Sequence, residues 1–336
     1  MSVLVLRALG IGDLATAVPA LRGLRGARPT EEIMLAAPGW LAPLADLTGA
    51  VDRVVPVDSL RVRTVPVAPP QLAVNLHGRG PQSHRLLARL RPAELMAYAN
   101  PAAGFLDGPR WEQDEHEVHR WCRLLAWYGI AAHPTDLDLH TPVRRGDPMG
   151  ATIVHPGSKD PARRWSPRGF AEVARALSAS GHHVVVTGGP GERPVATLVT
   201  RLAGLPDSAN LAGCTDLGEL AALVADARLL VSGDTGIAHL ATGYGTPSVV
   251  LFGPVPPAWW GPPPGRPWHQ VLWHGEHAGR PGASTATGAH PALAAVTVDE
   301  VLEAVDRALA AGDEQVAQLA APGRDEPVGY RHAATP

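Results

Sequence analysis

The stretch RLLVSGDTGIAHLATGYGTPSVVLFG, residues 228–253, decides the fold. RLLVSG is an apolar run of strand length that leads into Asp234, Thr235 and Gly236. A helical segment, IAHLATGYG, follows, and its last glycine ends it before a second apolar run, SVVLFG. Runs this short and this rich in branched side chains suit strands buried on both faces, and a helix between two of them belongs to a parallel sheet.

The same alternation continues in both directions. Upstream in the second half come the strand TIVHPG (152–157), a helix at FAEVARALSASG, the strand HHVVVTG, a helix near VATLVTRLAG, a short strand ANLAG and a helix at LGELAALVAD. In the first half, SVLVLRA (2–8), EIMLAA (32–37), DRVVPV (52–57), QLAVNL (71–76) and ELMAY (94–98) read as strands, with helical patterns such as LATAVPALRGLRG and PQSHRLLARLRP between them. Pro19 falls inside the first of these helices and should shorten or kink it. The polar, proline-bearing stretch 140–151 reads as a linker, giving an N-terminal domain over 1–145 and a C-terminal domain over 146–311. VTVDEVLEAVDRALAAG reads as a closing helix, and residues 312–336 as a weakly ordered tail.

Composition agrees with two domains and narrows the function. The 336 residues exceed the usual size of one domain, and 45% are hydrophobic, ample for buried cores. A formal net charge of −3 offers no field for nucleic acid and at most a peripheral contact with membrane. Two cysteines, Cys122 and Cys214, stand outside any CxxC spacing, which argues against a disulfide framework or a thiolate metal site and fits a reducing cytoplasm. The expectation is a cytoplasmic protein with no leader, no membrane span and no bound metal.

Ligands of parallel sheets bind beyond the carboxyl ends of the strands, so four loops matter most. The first is ALGIGDLA, where Gly10, Gly12 and Ala15 match GxGxxA. A dinucleotide fold also needs an acid ending the second strand; that strand ends in Ala36, Ala37 and Pro38, which disfavours an NAD(P) oxidoreductase. Asp13 is here either a helix N-cap or a carboxylate placed at a cleft as a general base.

The second loop is HPGSKDPARRWSPRGF (155–170). Gly157 and Ser158 can present amides and a hydroxyl, and Lys159, Arg163 and Arg164 add cations suited to a diphosphate. The alternative is a solvated basic loop in which Asp160 pairs with one of them, and Trp165 reads as a packing anchor. The third, VVVTGGPGERP (184–194), holds Thr187, Gly188 and Glu192; the glutamate can accept from ribose hydroxyls or simply stand on a turn. The fourth is the opening stretch, where Asp234 and Thr235 can cap a helix whose free amides receive an anion, with Gly236 and His239 at the same opening. Asp-Thr-Gly is also the aspartic protease signature, but that site needs two copies and the chain has one.

Four segments together carry a resemblance: GIGDLATAVPAL, NLHGRGPQSHRLL, HPGSKDPARRWSPRGFAEVA and SGDTGIAHLATGYGTPSVVLFGP. The chain resembles glycosyltransferase family 9, the ADP-heptose heptosyltransferases and their relatives, over residues 2 to about 310. The resemblance implies a GT-B architecture, two Rossmann-like α/β domains with parallel sheets facing across a cleft. It also implies inversion without a metal ion, an ADP-linked nucleotide-sugar donor in place of any cofactor, and a glycan or small-molecule acceptor. By the same resemblance Asp13 is the catalytic base. Ser158, Lys159, Arg163, Arg164, Thr187, Gly188, Glu192, Asp234, Thr235, Gly236 and His239 face the donor, and Gly12, His77 and Arg79 face the acceptor. Arg163 stands where the family usually has lysine. A noncatalytic sugar-nucleotide or glycan-binding relative is the alternative, and the intact Asp13 speaks against it.

Overall fold

The computed structural model describes residues 2–275 and 289–320. The first half contains β1 (Ser2–Leu6), α1 (Ile11–Thr16), α2 (Val18–Ala27), β2 (Glu32–Ala37), α3 (Ala42–Leu47), β3 (Arg53–Pro56), β4 (Leu72–Asn75), α4 (Gln82–Ala88), β5 (Glu94–Met96) and α5 (Glu117–Trp127). The second contains β6 (Thr152–His155), α6 (Pro167–Ala179), β7 (Val184–Val186), α7 (Arg193–Ala203), α8 (Leu217–Ala225), β8 (Leu229–Gly233), α9 (Gly236–Tyr244) and β9 (Ser248–Leu251). It closes with α10 (Pro257–Trp260), β10 (His269–Leu272), α11 (Pro291–Ala294) and α12 (Val298–Ala320).

All strand pairs are parallel, in two five-stranded sheets ordered β3-β2-β1-β4-β5 and β10-β9-β8-β6-β7. The expected strand ANLAG contributes only a single parallel bridge, Val186 to Asn210. Residues Asp207–Ala209 form a turn of 3₁₀ helix, so Ala209 is lost to the strand, and beyond it the pairing rests on Leu211 N donating to Val186 O and Gly213 N to Gly188 O, both at 2.8 Å. Counting that bridge as a vestigial edge, both sheets share one order in which the chain runs outward and then returns to the far side of its first strand. The return points lie between β1 and β4 and between β6 and β8, and ligands of open parallel sheets bind at such points.

Pro19 does break its helix. α1 ends at Thr16, and α2 begins at Val18 with the proline in its first turn, where a missing N–H costs nothing. Two other elements depart from expectation. β10 pairs with β9 although HQVL, framed by prolines and tryptophans, shows no strand pattern on its own. The closing helix runs on to Ala320, past the point where a tail was expected at 312. The remainder of that tail, and most of the stretch 275–290, lie outside the described residues.

The hydrophobic core does not stop at the linker. One continuous cluster joins Val5, Leu14, Leu35 and Val74 of the first half to Ile153, Leu223, Ile237 and Leu240 of the second. Helices α1 and α3 bring one side of it, α8 and α9 the other. Residues 140–151 have neither helix nor strand, yet they are tied down: the Asp226 carboxylate accepts from Gly146 N at 2.7 Å and pairs with Arg145 at 3.1 Å. The outer face of the second sheet is sealed separately by α6, α7 and α12, around Phe170, Val199 and Val305. Among the described residues, no helix is long and apolar enough to cross a membrane.

Candidate active site

The two return points face each other because α1, leaving β1, packs against α9, leaving β8. Glycines make the approach possible. A Cβ built on Gly12 would lie 2.7 Å from Cδ2 of His239, and one on Gly236 would lie 2.7 Å from Cβ of Ile11 and 3.3 Å from Gly12 N. Neither position has room for a side chain. Alanine ordinarily favours a helix over glycine by about 1 kcal/mol. Gly236→Ala is nonetheless expected to destabilise the protein by about 1–3 kcal/mol, because the added methyl runs into Ile11 Cβ, fixed to the backbone across the domain contact. A thermal melt checks the sign, and a stabilised variant would contradict the close approach.

Asp13 stands on the near side of this contact. It occupies the third position of α1, not the N-cap, which is Gly10; its Oδ2 accepts from Gly10 N at 3.0 Å. The side chain keeps 29% of its surface exposed, and Oδ1 lies 3.6 Å from Nη2 of the buried Arg7. His77, leaving β4, is close enough for Arg7 and Asp13 to influence it electrostatically, and burial above all pushes its pKa down to about 4. Its Nδ1 is buried without a hydrogen-bond partner. Arg79, the other residue expected on the acceptor side, is exposed, and only its carbonyl is engaged, by the Asn100 amide at 2.6 Å.

Across the contact, Thr235 holds the N-cap position of α9 but makes no capping bond with its side chain, which leaves the first amides of the helix uncapped by it. Asp234 is buried beneath that corner and pairs with Nη1 of Arg163 at 3.0 Å. Burial raises its carboxyl to about 6 even with the guanidinium beside it. Arg163 is therefore partnered by Asp234 and not by Asp160, whose carboxylate caps Ala162 N at 2.9 Å. Lys159 and Arg164 are exposed, and Arg164 Nε donates to the Ser158 carbonyl at 2.7 Å. Ser158 itself is buried. Trp165 is the packing anchor of this loop, edge-on to Phe170 with Nε1 donating to Val296 O at 3.1 Å.

The glycine-rich turn after β7 is more closed than its sequence suggests. Thr187 is fully buried and shares its hydroxyl with Nδ1 of His155 at 3.0 Å. Glu192 accepts from Gly189 N at 2.7 Å, and Oε2 stands 3.8 Å from Nε2 of His155. Its carboxylate lies against Gly157, where a Cβ would come within 2.3 Å of Glu192 Cδ, and its Cβ lies near Gly188. The structure thus brings Gly157, Gly188 and Glu192 together at the ends of β6 and β7, beside the Arg163–Asp234 pair at the ends of β6 and β8.

His239 lies between the halves. Burial, first, and the nearby His116 and Arg163 lower its pKa to about 4; its ring meets Trp260 edge-on at 5.8 Å. A small cavity of about 10 Å³ is lined by His239 and Thr242 from one half and by Thr16 and His116 from the other. His116 Nε2 closes its rim with a contact of 3.0 Å to the Gly261 carbonyl. Among the described residues, no group of three or more His, Cys, Asp or Glu side chains could hold a metal ion.

The buried histidines set the response to acid. His77 and His239 at about 4, and His269 at about 3, all titrate below the ordinary 6.5. A depressed histidine contributes stability above its unfolded pKa and loses it as pH falls through the folded one. Asp234, raised from 3.8 to about 6, works in the opposite sense over that range. These three histidines, with His84, His116, His155 and His182 lowered by burial in the same direction, outweigh Asp234 and give a melting temperature that falls between pH 6.5 and 4; a flat or rising midpoint over that interval would contradict the burial.

Residues 109–278 match the sequence model of glycosyltransferase family 9 (heptosyltransferase), half of the chain. The chain belongs to this family. Lipopolysaccharide heptosyltransferase 2 of Salmonella typhimurium is 32% identical over 152 residues, 44% of this family 9 chain and 43% of that protein. Lipopolysaccharide heptosyltransferase 3 of Escherichia coli is 28% identical over 162 residues, 47% and 46% of the two chains. The family 9 protein thus spans about half the length of these curated relatives in the aligned region. Among solved structures, E. coli ADP-heptose lps heptosyltransferase II superposes with a TM-score of 0.73 at 22% identity, covering 94% of this chain and all of that one. A family 9 glycosyl transferase from Veillonella parvula gives 0.77 at 20% identity, covering 92% and 97%. These likenesses establish the GT-B fold. E. coli heptosyltransferase WaaC, solved with ADP, superposes at 0.64 with 19% identity, covering 91% of this chain and 99% of that one.

Three members of the site escaped the sequence reading. Arg7, Glu117 and Arg120 form a buried charge network directly behind Asp13, with Nη2 of Arg7 3.0 Å from Glu117 Oε1 and Nε of Arg120 3.1 Å from Oε2. The available signals were an arginine ending an apolar strand, VLVLR, and a Glu117–Arg120 spacing of three on one helix face.

Proposed function

We propose that the protein is an inverting, metal-independent glycosyltransferase that moves a sugar, favoured as heptose from ADP-heptose, to a hydroxyl of a glycan or small-molecule acceptor. One observation carries this reading: the Asp13 turn lies across the α1–α9 contact from an uncapped helix N-terminus with the Arg163–Asp234 pair beneath it. The favoured donor is supported by the names of the relatives and by WaaC having been solved with ADP and with ADP-2-deoxy-2-fluoro heptose.

The chemistry follows from that placement. Departure of a nucleoside diphosphate builds negative charge on the leaving phosphate, and prearranged amides and cations lower the barrier to it. The first turn of α9, Arg163 and the amides around Gly157 and Ser158 supply these. Glu192, beside Gly188, accepts from ribose hydroxyls in this reading. On the opposite side, Asp13 takes the proton of the incoming hydroxyl as it attacks the anomeric carbon, and displacement in line inverts that centre. His77 and Arg79, from the loop after β4, orient the acceptor. The site draws on the cytoplasmic pool of nucleotide sugars, with at most a peripheral approach to membrane.

Mass spectrometry of the purified protein with a panel of ADP- and UDP-sugars tests the reading. Cleavage or transfer from an ADP-linked heptose is expected. A protein that binds the donor without cleaving it, with or without acceptors, would instead favour a noncatalytic carrier.

A further inference from the structure

We infer that Glu117 is a positioning residue for Asp13, acting through the guanidinium of Arg7. This rests on the assignment of Asp13 as base. The guanidinium, fully buried, lies at the end of β1 with its Cζ 4.7 Å above the Trp121 ring. Its Nε donates to the Asp13 carbonyl, Nη1 to the Leu76 carbonyl and Nη2 to Thr16 Oγ1 at 3.3 Å, and Nη2 also faces Asp13 Oδ1 at 3.6 Å. Arg7 therefore grips the turn of α1 at Asp13 and Thr16 and ties it to the strand end from which His77 emerges.

A guanidinium so deeply buried needs a counter-charge with good geometry. Glu117 provides it from the first residue of α5, 110 positions along the chain. Its Oε1 accepts from Arg7 at 3.0 Å and from Trp121 Nε1 at 3.0 Å, and its Oε2 accepts from Arg120 Nε at 3.1 Å. Arg120 in turn stacks on Trp111 at 4.0 Å. Every donor around Glu117 is thus fixed by an aromatic ring or a helix. Of the two carboxylates that Arg7 holds, Asp13 is the more exposed, 29% against 13% for Glu117, so the rigidity of the network is delivered to the carboxylate at the cleft. Misplacing a reacting group by about 1 Å can cost on the order of 10²-fold in rate.

The test is a double-mutant cycle in the full chain, with ADP-heptose as probe and donor cleavage as readout. Glu117→Gln is expected to lower kcat by about 10²-fold with a nearly unchanged donor KM. In an Asp13→Ala background, the same substitution is expected to change the residual rate by less than about twofold, since it acts only through the missing carboxylate. Trp121→Phe, which keeps a ring beneath Arg7 and removes one donor to Glu117, is expected to lower kcat by a smaller factor in the same pattern. Wild-type kcat in Glu117→Gln, or equal losses with and without Asp13, overturns the proposal. Should Glu117→Gln not fold, Trp121→Phe and Glu117→Asp decide it, and full activity in both overturns it. A wild-type protein that leaves ADP-heptose intact, or an Asp13→Ala variant that cleaves it normally, is the separate failure of the functional reading.

Discussion

Asp13→Asn is expected to lower kcat for sugar transfer by about 10²- to 10⁴-fold, the usual worth of a positioned general base, while leaving the melting temperature nearly unchanged. The reason is geometric. The carboxylate has two local ties, Gly10 N at 3.0 Å and Arg7 Nη2 at 3.6 Å. The amide oxygen can still accept from Gly10 N, the shorter tie, so the turn keeps its shape; the NH2 that replaces Oδ1 faces Arg7 only at the longer 3.6 Å contact, and the proton acceptor is gone. Asp13→Ala should lose as much activity and also some stability, because Gly10 N and Arg7 each lose a partner. Initial rates and thermal melts of the two variants separate these effects. An Asp13→Asn enzyme of near wild-type rate would remove Asp13 from the chemistry.

The second large effect is expected at Arg163. Its truncation to alanine removes the only cation in direct contact with Asp234 among the described residues, and with it one of the donors proposed for the leaving diphosphate. Loss of such a donor costs about 10²- to 10³-fold in turnover. Arg163→Lys keeps the charge but not the fork, so a partial recovery is expected, with weaker donor binding. The alanine variant also leaves Asp234 buried and unpaired, a cost of about 1–3 kcal/mol when the partner is removed. Since Asp234 already titrates at about 6, that cost grows as pH rises through this value and the carboxylate must ionise. Melting temperatures of wild type and Arg163→Ala should therefore diverge above pH 6 and converge below it; a difference independent of pH would contradict the pairing.

The parallel sheets were legible because VLVL, IMLA, LLVS and SVVL are short, branched and bounded by turn residues, and nothing but a doubly covered strand accounts for such runs. The broken first helix was legible from Pro19, a purely local constraint. β10 was hidden because its pairing comes from β9 and not from alternation within HQVL. ANLAG reads as a strand by composition, but the 3₁₀ turn takes up its first residue and leaves one bridge, at Asn210, with bonds from Leu211 N to Val186 O and Gly213 N to Gly188 O. Periodicity shows that a helix has an apolar side and not what that side meets, so the continuous core through α1 and α9 was beyond it.

The site divides in the same way. Gly236, Thr235 and Asp234 announce themselves in one loop, as do Ser158 to Arg164. That Arg163 chooses Asp234 over the adjacent Asp160 depends on bringing β6 beside β8, and spacing along the chain carries no trace of it. Arg7 and Glu117 were missed for a related reason: a buried ion pair joins residues whose separation, 110 positions, makes each look like an ordinary surface charge. Thr187 errs in the other direction, for a threonine beside two glycines looks open and is instead sealed against His155.

The proposed function requires a diphosphate held in the second half, against α9 and the loop after β6. Hydrogen–deuterium exchange with and without saturating ADP tests this most directly. Protection is predicted in the amides of residues 156–164 and 235–239, with the GxGxxA loop at residues 9–15 changing little. Protection confined to residues 9–15, or absent from both halves, would contradict it.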